Sequence, residues 1–226
     1  MRTIVKLNRR TLIRNAAGTG LALTSAHGAT SAEPAVKTLL EVFAGRQSVR
    51  KYLPSPVPDE HVRAIIDAAR RAPTCMNQQP WKFLVVRDKD KIEQMKKRTL
   101  EMVTAYFNKQ PTATPEALKE AVTRTEGYFT APVFVVVLVD NECQCGAEYT
   151  FQDGVLAAGY LILAARALGY GTVYLTDGIP ERVSREVLNI PPRYRRICMT
   201  PVGVPDPWPP KKPKKSLDDL IAYDKV

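Results

Sequence analysis

Histidine is nearly absent from this chain, with His27 and His61 the only two among 226 residues. The four cysteines, Cys75, Cys143, Cys145 and Cys198, have no histidine near them in sequence. A zinc site needs about four suitably spaced ligands, so this distribution offers no metal centre. His61 falls in the first turn of a helical pattern, off its apolar stripe, and reads as a surface residue. The cysteines are too few for a disulfide framework in a domain of this size. One bridge is open in an oxidising compartment, and spacing alone does not choose its pair. Internal repeats are missing, and so is the steady βαβ rhythm of a parallel sheet. No run is long and apolar enough to span a bilayer stably.

What is there suits a single packed domain with a short leader. Hydrophobic residues make up 45% of the chain, an ordinary share for a globular core. The formal charge of +10 falls to +5 without residues 1–32, which hold Arg2, Lys6, Arg9, Arg10 and Arg14 and no acid. An excess that small, without interleaved bases and aromatics, excludes a nucleic-acid face and points to a local anion site. The leader has the form of an export signal: Arg9-Arg10-Thr11-Leu12-Ile13, a weakly apolar run from Asn15 to Ala26, and small residues at Thr30-Ser31-Ala32. The paired arginines resemble a twin-arginine signal, which would place the folded domain of residues 33–226 in the periplasm. The alternative is a cytoplasmic protein that keeps its first residues.

The densest polar chemistry lies in Arg46-Gln47-Ser48-Val49-Arg50-Lys51, after Gly45 and before the proline-broken segment Leu53 to Pro58. In extended backbone, alternate side chains share a face, so Arg46, Ser48 and Arg50 point one way. That face offers an anion two planar guanidinium forks and a hydroxyl. The competing reading is a solvated basic loop.

Periodicity predicts helices over Val36–Ala44, Asp59–Arg71, Lys89–Asn108, Pro115–Glu126, Glu148–Leu168 and Pro180–Leu188. The first should pack through Val36, Leu39, Leu40 and Phe43. Ile92, Met95, Met102 and Phe107 are among the apolar positions of the third. From Val155 to Leu168 the fifth is apolar nearly all round, as expected in a core or a subunit interface. Strands are predicted over Lys82–Arg87, Pro132–Val139, Thr172–Leu175 and Arg196–Val204. Residues 205–213 carry five prolines and form an extended arm, leading to Lys211 to Lys215 and an amphipathic turn at Leu217, Leu220 and Ile221. The class is α+β, a sheet wrapped by helices.

Four pieces in this order resemble the nitroreductase family of FMN-dependent oxidoreductases. They are Arg46 to Arg50, Ala72-Pro73-Thr74-Cys75-Met76-Asn77-Gln78-Gln79-Pro80-Trp81, the helix end Leu163 to Gly171, and Pro201-Val202-Gly203 followed by Lys212-Pro213-Lys214. The resemblance runs from Val36 to Asp224 and is poorest over Thr99 to Phe129, where no further flavin contact can be placed. It implies a nitroreductase-like sandwich around a mainly antiparallel sheet, in an intertwined homodimer with FMN in clefts between subunits. Arg46, Gln47 and Ser48 would hold the phosphate and ribityl chain, with Lys212 and Lys214 also at the phosphate. Arg50 would lie near the pyrimidine end, where a guanidinium favours negative charge on the cofactor. Pro73, Thr74, Cys75 and Asn77 would reach the flavin from the partner chain. Thr176, Asp177 and Gly178 would approach N5 through backbone amides.

The implied reaction passes hydride from NADH or NADPH through FMN to a small electron-poor acceptor, a nitroaromatic or a quinone. On the same fold stand reductive dehalogenation, flavin destruction and peptide-ring oxidation. Outside it stands a non-catalytic envelope protein that binds an anion or a partner. Asn77 and Gln79 could equally tie their loop together. Cys75 reads as a small filler rather than a redox thiol.

Overall fold

The computed structural model describes residues 39–225. The segment expected to be an export signal, and Val36, lie outside the described residues. The helices are α1 (Leu39–Gly45), α2 (Asp59–Ala69), α3 (Lys89–Asn108), α4 (Pro115–Tyr128), α5 (Ala147–Ala167) and α6 (Glu181–Val187). The strands are β1 (Trp81–Val86), β2 (Val133–Asp140), β3 (Gly171–Thr172) and β4 (Tyr194–Gly203).

Local chemistry explains most of these borders. Asp88 caps α3 by accepting from the amides of Asp90 and Lys91 at 3.0 and 3.1 Å. Thr114 caps α4 by accepting from the Ala117 amide at 3.2 Å, with Pro115 at the first helical position. Gly169 stops α5 in the left-handed conformation (φ 86°), where the Tyr170 amide returns to the Ala165 carbonyl at 2.9 Å.

The four strands form one antiparallel sheet in the order β1-β2-β4-β3. Successive side chains of β2 alternate across it. Phe134, Val136 and Leu138 join Ile92 and Met95 of α3, Tyr128 of α4 and Val183 of α6 in one core. Val133, Val135, Val137 and Val139 join Val62 and Ile65 of α2 and Leu161 and Ala165 of α5 in the other. Helices therefore cover both faces, and β2 is buried almost throughout.

Expectations about α1 and β3 are corrected, and those about α5 and α3 are narrowed. In α1 Leu39, Leu40 and Phe43 are exposed and Val42 alone is buried, because α1 meets α5 by that one side. Helix α5 buries Ala157, Ala158, Leu161 and Ala165, while Tyr149, Val155, Leu156 and Tyr160 stand out in solvent. Among the described residues of one chain, only one side of α5 has anything to pack on. The strand expected over Thr172–Leu175 leaves the ladder after Thr172 and rejoins it only where the Met199 amide meets the Leu175 carbonyl at 2.9 Å. On α3, Ile92 and Met95 are buried as expected, but Met102 near its exposed end is not.

Candidate active site

The basic stretch is a strap laid across the end of the sheet. The Val49 amide donates to the Thr172 carbonyl at 2.9 Å and the Leu53 amide to the Val204 carbonyl at 2.8 Å. From the other side the Asp206 amide donates to the Lys51 carbonyl at 3.1 Å. The front of the folded part and the start of the proline-rich arm thus lie side by side. Val49 and Tyr52 point inward and are buried. The Tyr52 hydroxyl donates to the Val49 carbonyl at 2.6 Å, and burial raises its pKa far above the ordinary tyrosine range.

With Val49 inward, Arg46, Ser48 and Arg50 turn outward together. Arg46 Nη1 lies 3.5 Å from Ser48 Oγ, and Arg50 Nη1 donates to the Ser48 carbonyl at 3.2 Å. Ser48, Arg50 and Lys212 line one cleft of about 890 Å³ with Lys119 and Arg124 of α4. A second hollow of about 290 Å³ shares Arg50 and Arg124 and carries Asp177 and Gly178 on its wall. Together they make a trough with Arg50 at its middle. Within it Lys51 pairs with Asp206 at 3.0 Å and Arg124 with Glu120 at 3.9 Å, so the cationic donors left for a ligand are Arg50, Lys119 and Lys212.

Other expected residues lie elsewhere. Gln47 faces a neighbouring hollow of about 370 Å³ with Gly45, Arg166, Trp208 and Lys211. Lys214 is exposed on the arm and lines neither part of the trough. Pro73, Thr74, Cys75 and Asn77 are outside the trough of their own chain. Their loop is braced instead. The Cys75 amide donates to Asp153 at 3.1 Å, the Gln79 amide to Thr74 Oγ1 at 3.2 Å, and Gln79 Nε2 to Asn77 Oδ1 at 3.2 Å. So Asn77 and Gln79 do tie the loop together. Met76, Asn77 and Gln79 adopt left-handed backbone with φ of 49°, 55° and 49°, which such bracing must hold. Cys75 is no mere filler. It is bonded to Cys145, with Cα atoms 6.3 Å apart, because the loop crosses the entrance to α5. Cys143 is free and its thiol donates to Gln78 Oε1 at 3.2 Å, while Cys198 is free and buried.

Sequence reasoning overlooked several supporting side chains. Asp153 is a buried carboxylate in the first half of α5, just before its apolar run. Arg166 stacks its guanidinium 3.9 Å from the Trp208 ring centroid, and its buried Nε has no hydrogen-bond partner. Gly45 leaves the space for it, since a Cβ there would lie 2.6 Å from Arg166 Nη2. Arg124 fills part of the stretch in which no contact could be placed. Arg196 is buried on β4 and donates to the carbonyls of Thr176 and Ile179. Of these, Arg166 alone stood out in the sequence, as a charge inside the apolar run of α5.

Residues 43–204 match the family model described as Nitroreductase family. The chain belongs to that family. Among curated relatives of this nitroreductase-family chain, an iodotyrosine deiodinase of Thermotoga neapolitana is 29% identical over 84% of the chain and 99% of its own length. An NADH dehydrogenase of Thermus thermophilus is 27% identical over 71% of the chain and 83% of its own. Among solved structures, oxidized iodotyrosine deiodinase bound to FMN and 3-iodo-L-tyrosine superposes with a TM-score of 0.70. That match has 27% identity and covers 84% of this chain and all of the other. A nitroreductase with bound FMN from Desulfitobacterium hafniense gives a TM-score of 0.65 at 25% identity, over 83% and 98% of the two chains.

Proposed function

We propose that this protein is an FMN-dependent oxidoreductase that takes hydride from NADH or NADPH and passes it to a small electron-poor acceptor. The donor set of the trough carries this reading. Arg50, Lys212 and Ser48 line a cationic, hydroxyl-bearing cleft within the size range of cofactor sites, with Arg46 joined to it through its contact with the Ser48 hydroxyl. Such a set fits a phosphorylated, polar-chained ligand. Arg46, Gln47 and Ser48 would hold the phosphate and ribityl chain, and Lys212 and Lys214 would add charge at the phosphate. Arg50 would face the pyrimidine end and favour negative charge there. Thr176, Asp177 and Gly178 would present backbone donors to the central ring. FMN supplies the hydride chemistry, so the chain itself needs to bind, orient and exclude water.

The same reading makes the protein a homodimer. The side of α5 carrying Leu156 and Tyr160, together with Leu40 and Phe43 of α1, is a broad exposed apolar surface. A second copy there would cover it and bring Pro73, Thr74, Cys75 and Asn77 to the flavin from the partner. Export through the twin-arginine-like signal of residues 1–32 belongs to the proposal. Its check is fractionation, with intact mature-size protein expected in the periplasm and a cytoplasmic, full-length product counting against it.

The deciding experiment is a spectrum of purified protein before and after anaerobic NADH or NADPH. The expected result is yellow protein with FMN near equimolar to chain, bleached by one of the two donors. Colourless protein that refuses added FMN would favour a non-catalytic binding module. A second reading, reductive dehalogenation of an aromatic halide, is favoured by the deiodinase likeness over nearly the whole relative. Turnover of nitroaromatics, quinones and halogenated phenols side by side separates the two.

A further inference from the structure

Arg196 is the one buried arginine among the described residues, 7% exposed near the start of β4, after Arg195 and before the buried run that begins at Ile197. Its guanidinium is spent on neutral acceptors: Nη2 donates to the Thr176 carbonyl at 2.5 Å, and Nη1 to the Ile179 carbonyl at 2.9 Å and to Ser184 Oγ at 3.0 Å. Among the described residues it forms no carboxylate ion pair. Taking a cation out of water without a paired counter-charge is costly, and the hydrogen bonds it donates to these neutral acceptors must offset that cost. Burial also draws its pKa below the ordinary arginine range. Two of its three acceptors bracket one short loop, Thr176 to Ile179, whose outer face lines the trough through Asp177 and Gly178.

The geometry of a peptide unit says what this does. In a trans peptide the carbonyl and the following N–H lie in one plane and point in opposite directions. The Thr176–Asp177 bond is trans, the described cis bond being Asp206–Pro207. Arg196 holds the Thr176 carbonyl from inside, so the Asp177 N–H points away from the core, toward the wall of the trough. That amide donates to no backbone carbonyl within the described chain. Donation to the carbonyl end of a peptide also polarises its N–H, strengthening it as a donor.

We infer that Arg196 is a positioning residue that aims and sharpens the Asp177 amide as a hydrogen-bond donor to a ligand acceptor in the trough. The inference rests on the proposed reading that this ligand is FMN, and it assigns to a buried side chain on β4 part of the tuning of that cofactor. Apart from the amide, the buried positive charge behind it favours the cofactor state that carries more negative charge, which is the reduced one.

Two measurements test it. In wild-type protein labelled with ¹⁵N, addition of FMN should move the Asp177 amide proton downfield and protect it from exchange. In the Arg196→Gln variant the preference for reduced over oxidised FMN should fall about tenfold, read as a drop in midpoint potential of about 30 mV for a two-electron couple. Arg196→Lys, which keeps the charge, should recover at least half of that drop. Wild-type protein that binds FMN with an unmoved, unprotected Asp177 amide overturns this inference alone. So does a folded Arg196→Gln variant with unchanged potential. A wild-type protein that takes no FMN overturns the functional reading together with the inference. Should Arg196→Gln fail to fold, the wild-type amide decides.

Discussion

At the scale of single residues, the strap shows how one inward side chain commits its neighbours. Val49 is buried at 1% exposure, and this turns Arg46, Ser48 and Arg50 outward on one edge. On the proposed reading, Arg46 supplies a charge-assisted contact, of the order of 1.5–3 kcal/mol. Arg46→Gln should therefore weaken FMN binding by about 10- to 100-fold in a fluorescence titration, with little change in melting temperature. Buried titratable groups make a separate prediction about pH. Burial pushes the Cys198 thiol up to about 11 and the Tyr174 hydroxyl up to about 12. In the unfolded chain these groups ionise near about 8.5 and 10. Between the unfolded and folded values the unfolded state has lost protons that the folded state retains, so stability falls as pH rises. The contribution of Cys198 is whole below about pH 8.5 and is lost by about pH 11. Melting temperature should decline through that window, and Cys198→Ala should flatten the decline between pH 9 and 10.

At the scale of elements, helices with caps and stripes were legible from the residues they contain. Lys89–Asn108 was readable to the residue because Asp88 caps it and Asn108 precedes a polar turn. The strand over Thr172–Leu175 was not, because its pairing with β4 stops after Thr172, where the Thr172 carbonyl accepts from the Val49 amide of the strap, and resumes only at Leu175. The loop after α2 was legible as a loop, but its bracing was not, since Asp153 and Cys145 lie about seventy residues away. A bridge closing a loop of that length contributes about 2–4 kcal/mol through the unfolded state. Cys145→Ser, or reduction of the wild type by a dithiol, should lower the melting temperature by about 5–15 °C. Both treatments should also weaken FMN binding if this loop reaches the flavin. The arm is held by the Arg166–Trp208 stack, a contact worth about 1 kcal/mol. Trp208→Ala should free it, which would be seen as faster proteolysis beyond Pro205 and about fivefold weaker FMN binding.

At the scale of the whole molecule, the exposed apolar side of α5 and α1 is the feature a single chain leaves unanswered. Sedimentation should find two chains per particle. The pair Phe43→Asp and Leu156→Asp, both on exposed positions, should yield a folded monomer that no longer retains FMN. A monomer that keeps its flavin would place the cofactor wholly within one chain. Residue order alone determined the class, the element types and the cationic strap, because caps, periodicity and side-chain alternation act over a few neighbours. It determined family membership as well, since four short pieces in order sufficed. Tertiary structure alone decided the Cys75–Cys145 bond, the meeting of strap and arm, and the outward aim of the Asp177 amide. Those depend on which distant segments share space, and the free energy that brings them together comes from burying β2 between two helical layers. No local pattern carries that information.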